Sequence, residues 1–179
     1  MPHWNSRGLR GSAFEHLLNM TNEKYMEHKL AAVQKISTPI TPMKFEPETH
    51  LITKAYFEKK STVDYIGVAK GVPVCFDAKE TSLKYLPLQN IHPHQMEFMA
   101  SFREQKGLAF LLVNFTDKSE CFLLPFEQLE KYWTAARSGG RKSIPYEAFD
   151  RRYIVVGRGG YMVHYLEAVN VYLQNDNSN

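Results

Sequence analysis

The chain is poor in cysteine, in long apolar runs and in net charge, and each shortage closes off a class of explanation. Only two cysteines, Cys75 and Cys121, occur in 179 residues, too few for a disulfide framework or a cysteine-built zinc site. Both lie in apolar, strand-like runs and read as buried, reduced thiols of a cytosolic protein. No apolar stretch approaches the roughly 20 residues of a membrane-spanning helix. The opening segment carries Trp4, Arg7 and Arg10 but no apolar signal-peptide core, so no secretory leader is expected. Lys plus Arg (22) exceed Asp plus Glu (19) only far enough for a net charge of +3. Any nucleic-acid contact must therefore come from local clusters rather than bulk charge. No internal repeat is present, and the only biased tract is the polar end at residues 175–179. What remains is ordinary globular material, 44% hydrophobic and 23% charged. Its length suits one domain with its own core, or one domain with a projecting arm.

Ser12-Ala13-Phe14-Glu15 matches a capping box, and Phe14, Leu17, Leu18 and Tyr25 follow near helical spacing. A helix is expected over residues 12 to about 29, with residues 1–11 as a flexible arm, 12–175 as the main domain and 176–179 as a disordered tail. Residues 31–36 suit a short strand. Pro39, Pro42 and Pro47 then forbid a helix interior and a central strand. A surface loop, or an arm projecting over about residues 37–54, is expected there. Residues 62–68 and 72–79 alternate around Ala69-Lys70-Gly71, the pattern of a β-hairpin. His92-Pro93 opens a helix to about Gln105. Residues 108–115 form the continuous apolar run of a central buried strand, and Asp117-Lys118 turns it into a neighbour over 120–124. Residues 126–137 read as a helix stopped by Gly139-Gly140. A short strand at 153–156 and a helix at 164–174 close the chain. This order predicts an α/β fold, a mixed β-sheet flanked by helices.

The hairpin carries the chemistry. With Lys70 and Gly71 as central turn residues, Ala69 faces Val72 and Asp64 stands opposite Asp77. Residues two apart share a face, so Lys79 joins both acids, while Val63, Tyr65, Val74, Phe76 and Ala78 point to the other side. Two like charges directly opposite destabilise a sheet. A divalent cation offsets that repulsion, and hard oxygen ligands suit Mg²⁺ or Mn²⁺. Carboxylates, a metal and a lysine together make a kit for phosphodiester hydrolysis. The same three residues also fit a solvated surface ion pair worth little. From these three residues alone the ion pair is the leading reading; the shared face narrows the gap, because it turns a spacing into a geometry.

These residues fall in blocks that resemble the RecU family of Holliday junction resolvases, within the PD-(D/E)xK nuclease superfamily. Arg10-Gly11 through Phe14-Glu15 to Thr21-Asn22 resembles the family's opening helix. Lys54-Ala55-Tyr56-Phe57 through Ser61-Thr62-Val63-Asp64-Tyr65 resembles its first catalytic strand, and Phe76-Asp77-Ala78-Lys79-Glu80-Thr81 the second. Two further blocks run from Pro87 to Gln95 and from Gly139 to Glu147. The likeness covers most of the chain in the same order.

The resemblance implies a restriction-endonuclease-like core with a projecting, proline-containing stalk. It implies a structure-specific endodeoxyribonuclease that resolves four-way junctions by paired symmetric nicks during recombination and repair. Asp64 and Asp77 would be the metal carboxylates, Lys79 the catalytic lysine, and Glu15 a further carboxylate near the metals. The cofactor would be Mg²⁺, with Mn²⁺ as a substitute. The partners would be four-way junction DNA, a second copy of the chain, a recombinase and a branch-migration complex, with no membrane. The setting would be the cytoplasm of a bacterium, at the nucleoid, from a chromosomal or phage gene. Candidate phosphate contacts are Arg7, Arg10, Lys54, Lys59, Lys60, Arg141 and Lys142. His94 and Gln95 join them at the start of a helix expected beside the active site, where capping is an equal reading. Glu80 points away from Asp77 and reads as structural; Tyr56, Phe57 and Tyr65 read as core. The chain departs from the family in three places. Asp77 stands where the family usually has Glu, the stalk is shorter and sets Glu46 and Glu48 against Lys44, and the segment after Arg152 matches loosely. Rival readings are a non-catalytic junction binder that modulates a recombinase or branch-migration motor, and a nuclease of the same fold that cuts ordinary duplex.

Overall fold

A computed structural model describes residues 7–37, 40–57 and 62–176, with side chains from residue 13 in the first stretch and to residue 56 in the second. A six-stranded mixed sheet forms its centre. Its strands are β1 (Ala31–Lys35), β4 (Tyr65–Ala69), β5 (Val72–Thr81), β7 (Leu108–Phe115), β8 (Glu120–Pro125) and β10 (Ile154–Val155), in that spatial order. The central pair, β5 and β7, is parallel; its neighbours run antiparallel. The connection between β5 and β7 carries β6 (Tyr85–Pro87) and helix α2 (Pro93–Glu104). The mixed sheet flanked by helices is the expected fold class.

The apolar run of β7 is buried on both faces. Leu108, Phe110 and Leu112 join a core layer with Phe14, Leu18 and Tyr25 of α1 (Arg7–Glu27) and Val169 and Tyr172 of α4 (Leu166–Asp176). Ala109, Leu111, Val113 and Phe115 join the opposite layer with Met96 and Met99 of α2 and Leu129 of α3 (Phe126–Arg137). Period-two alternation between two helical layers leaves one polar residue in the strand, Asn114, half-buried near its end.

Several expectations are corrected. Helix α1 begins at Arg7, so Ser12 lies inside it and not at its start. The proline-bearing segment forms an antiparallel two-stranded ribbon, β2 (Ile40–Glu46) with β3 (Leu51–Phe57), where a surface loop was one reading. Prolines are tolerated because both strands of a two-stranded sheet are edges, and the register shifts beside Pro42 and Lys44 absorb the missing donor. No described residue from 40 to 56 is buried, so Tyr56 is exposed rather than core. Val63 precedes the paired strand and packs in the α2 layer, opposite Tyr65, Val74 and Phe76. Tyr65 itself is a core residue, stacked on Phe76 with centroids 4.8 Å apart. The closing helix starts at Leu166. Cys75 and Cys121 are free thiols, and burial pushes Cys75 up to about 12. Among the described residues no helix is long and apolar enough to cross a membrane.

Candidate active site

The site is built from the hairpin outward. Lys70 and Gly71 both have positive φ, +48° and +87°, the conformation of a two-residue turn whose twist matches its strands. That turn sets Ala69 against Val72 and carries the register to Tyr65 against Phe76. One step further the backbone ladder stops and side chains continue it. The Asp64 amide donates to Asp77 Oδ1 over 2.8 Å, and the Ala78 amide donates to Asp64 Oδ2 over 3.0 Å. The two acids meet at the end of the hairpin, at the position the turn predicts.

Asp77 is fully buried, and its second oxygen, Oδ2, faces two donors. Lys79 Nζ lies 2.7 Å away, brought to the same face by the two-residue strand repeat. Gln95 Nε2 also donates to Oδ2. The other end of the Gln95 amide accepts the His92 N–H at 2.9 Å, closing the first turn of α2 behind Pro93. Gln95 thus ties the helix start to β5. Buried, with both amide ends engaged inside the protein, it is placed to position Asp77 and not to meet a phosphate. Glu80 points away, accepting from Asn114 Nδ2 at 2.9 Å.

Asp64 is electrostatically loaded. Burial and the neighbouring Asp77 carboxylate push its carboxyl up to about 6, against the Ala78 amide and Lys79, which pull it down; Glu15 adds to the rise. Glu15 comes from α1, where its carboxylate forms an ion pair with Lys35 and its carbonyl accepts from Tyr65 Oη at 3.3 Å. A carboxyl raised by a neighbouring carboxylate suits a site that takes a cation. Mg²⁺ characteristically takes one or two carboxylates and completes its shell with water and substrate phosphate, so Asp64 and Asp77 fit it. Among the described residues no three His, Cys, Asp or Glu side chains converge as a metal cluster, so Glu15 does not form a three-ligand set with them.

Comparison with known proteins follows the same outline. Residues 9–171 match the family model described as RecU, Recombination protein U. The chain belongs to the RecU family. Relatives named Holliday junction resolvase RecU include one from Geobacillus sp. (strain WCH70), 40% identical over 156 residues, covering 84% of this chain and 78% of its own length. Another, from Limosilactobacillus reuteri (strain DSM 20016), is 37% identical over 168 residues, covering 92% and 79%. Among solved structures, the Hjc Holliday junction resolvase of Archaeoglobus fulgidus overlaps 66% of this chain and 74% of its own, at 14% identity and a TM-score of 0.39.

In this RecU-family chain the two remaining sequence blocks come together in space. Strand β6 pairs antiparallel with β9 (Ser143–Pro145), and the Leu88 amide donates to the Lys142 carbonyl at 3.1 Å. Arg141 and Lys142 are exposed there, Arg141 Nε donating to Ser143 Oγ at 3.0 Å. His94 is half-buried and stacks on His92, centroids 5.4 Å apart. Lys54 lies on the ribbon, directly across from Lys44. Arg7 and Arg10 belong to α1, but their side chains, with Lys59 and Lys60 entirely, lie outside the described residues. Two contacts escaped the sequence reading. Gln95 is legible there as a phosphate contact or a cap beside the active site but not as the anchor of Asp77, and Lys35 gives no signal at all, because its partner Glu15 lies in a different element.

Proposed function

We propose that this chain is an endodeoxyribonuclease that resolves four-way (Holliday) DNA junctions by paired, Mg²⁺-dependent nicks. The observation that carries the reading is the Lys79 ammonium 2.7 Å from a fully buried Asp77 carboxylate, with Asp64 hydrogen-bonded beside it. A buried ion pair of this kind is no economical way to stabilise a sheet, and it lies in a chain of the RecU family. Asp64 and Asp77 would hold the Mg²⁺. When bound, the ion would polarise the phosphoryl oxygen and lower the pKa of a coordinated water.

The protein's own groups supply the rest. Lys79 can donate a hydrogen bond to a non-bridging phosphate oxygen as negative charge builds on it, the preorganised electrostatic role that dominates phosphoryl chemistry. Gln95 keeps the Asp77 carboxylate in one orientation. Glu15, close enough to raise Asp64, would orient the attacking water. Arg141 and Lys142 would meet the phosphate backbone of an arm, and Lys54 on the ribbon would meet another, so recognition rests on shape and charge rather than base reading. A four-way junction has approximate two-fold symmetry and needs two matched cuts; a C2 homodimer presents two identical sites in that relation.

The test is cleavage of a fixed four-way junction beside a matched linear duplex, with Mg²⁺, with Mn²⁺ and with chelator. Paired cuts in the junction alone, lost on chelation, are expected. Equal cutting of the duplex would redirect the reading to a general nuclease, and binding without cutting would redirect it to a junction-binding protein.

A further inference from the structure

The ion pair between Lys35 and Glu15 joins the last residue of an edge strand to the first helix, at the rim of the acidic pair. Its side chains are 39% and 29% exposed. A pair that open to water contributes little to stability, so the fold has little need of it. Its surroundings are nonetheless held firmly. Lys35 is the cross-strand partner of Tyr65, and the next amide, Ile36 N–H, donates to the Asp64 carbonyl at 2.8 Å. The backbone carrying Lys35 is therefore tied directly to the backbone carrying Asp64. Val33, two residues earlier on the same strand face, packs into the layer under α1, which sends Lys35 toward α1 as well.

The helix end of the contact is fixed by the same pair of residues. Tyr65 Oη donates to the Glu15 carbonyl at 3.3 Å and to Asn19 Oδ1 at 3.0 Å, pinning that turn of α1 against the sheet. Tyr65 thus holds the backbone of Glu15, and Lys35, across the strand from Tyr65, holds its carboxylate. A partly exposed glutamate without such a partner would sample several rotamers, losing orientation at the reacting centre.

We propose that Lys35 is a positioning residue of the active site, whose ammonium aims the Glu15 carboxylate at the Asp64–Asp77 pair without itself gripping the DNA. This rests on the reading of the site as a nuclease centre with Glu15 as its third carboxylate. Loss of Lys35 frees Glu15 and slows the chemical step, while the surfaces that bind the junction stay as they were. Arginine, with equal charge and similar reach, keeps the contact.

The full chain and its Lys35→Ala, Lys35→Arg, Glu15→Gln and double Lys35→Ala/Glu15→Gln variants are compared on a four-way junction with Mg²⁺. Binding is measured by gel shift in chelator, and folding by thermal denaturation. Lys35→Ala is expected to lower kcat about tenfold or more with KM and junction Kd within about twofold, and to melt within about 2 °C of the parent chain. Lys35→Arg restores most of the rate. The double variant is no slower than Glu15→Gln, because residues acting as one unit are not additive. A raised KM with unchanged kcat, additive losses, or failure of arginine to rescue a folded protein would each overturn the assignment. A parent chain that cuts while Lys35→Ala cuts equally removes this assignment alone. A parent chain that leaves the junction intact removes the nuclease reading and this assignment with it.

Discussion

Asp64 and Asp77 bond to each other's strand: the Asp64 amide donates to the Asp77 carboxylate at 2.8 Å, and the Asp64 carboxylate accepts the amide of Ala78, next after Asp77, at 3.0 Å. Side chains take over the ladder at the point where backbone pairing ends. The arrangement brings two carboxylates together in a half-dry site, a cost that a structural hairpin has no reason to carry.

Removing either half of the Lys79–Asp77 pair is therefore expected to stop the chemistry and spare recognition. Asp77→Asn keeps the shape but loses the charge; Lys79→Ala loses the ammonium. Each should lower Mg²⁺-dependent junction cleavage by about a hundredfold or more, while a gel shift without metal shows junction affinity within about threefold of the parent chain. Undiminished cutting by either purified variant would remove the catalytic assignment.

The Asp64 carboxyl makes the protein less stable at neutral pH than below it. Its folded value is pushed up to about 6, chiefly by burial and then by Asp77, against an unfolded value near 3.9. The unfolded chain therefore releases this proton more readily, and deprotonation costs folding free energy at high pH. The cost is full above about pH 7 and is relieved as pH falls through 6 toward 4, amounting to about 2–3 kcal/mol at most. In chelator, Asp64→Asn should unfold at higher urea than the parent chain at pH 7.5, with the gap closing near pH 4.5. A gap that stays constant with pH would contradict the assignment of this strain to Asp64.

Gln95 should matter to stability and rate together. Replacing it with leucine removes the His92 N–H···Gln95 Oε1 hydrogen bond and a donor to the buried Asp77 carboxylate. Losses of about 1–3 kcal/mol are typical of such a lost cap and an undersupplied buried acid. Equilibrium urea unfolding and single-turnover cleavage should both fall. Parent-like values in both would mean that the two hydrogen bonds do not carry weight.

The ribbon should separate binding from folding. Its strands contact the solvent along both faces, exposing Met43, Phe45 and Ile52 among others, and Lys44 stands opposite Lys54. Like charges directly opposite each other are unfavourable without an anion between them, and an isolated two-stranded ribbon is marginal in water. Deleting residues 42–50 with a short glycine linker should weaken preference for a four-way junction over linear duplex, with melting nearly unchanged. Equal loss of affinity for both DNAs would argue against a role for the ribbon in selectivity.

How far the amino-acid order reaches can be judged residue by residue. The Lys70-Gly71 turn and the alternation around it fix a register, and register is local geometry, so the meeting of Asp64, Asp77 and Lys79 was legible before any fold was known. The central strand was equally plain, because a run apolar over six consecutive residues, Leu108 to Val113, must be covered on both sides. The ribbon was half legible: its prolines excluded a central strand, but an edge pairing of Pro42 with Ala55 depends on the partner strand, which no pattern within 37–54 announces. What only the tertiary structure decided are the contacts between elements far apart in the chain. Gln95 reaches Asp77 because α2 crosses back over β5, and Lys35 reaches Glu15 because β1 packs beneath α1. Periodicity and turn chemistry act over a few residues, whereas the packing of helix on sheet settles which side chains share a space, and the contacts of Gln95 with Asp77 and of Lys35 with Glu15 are made by that packing alone.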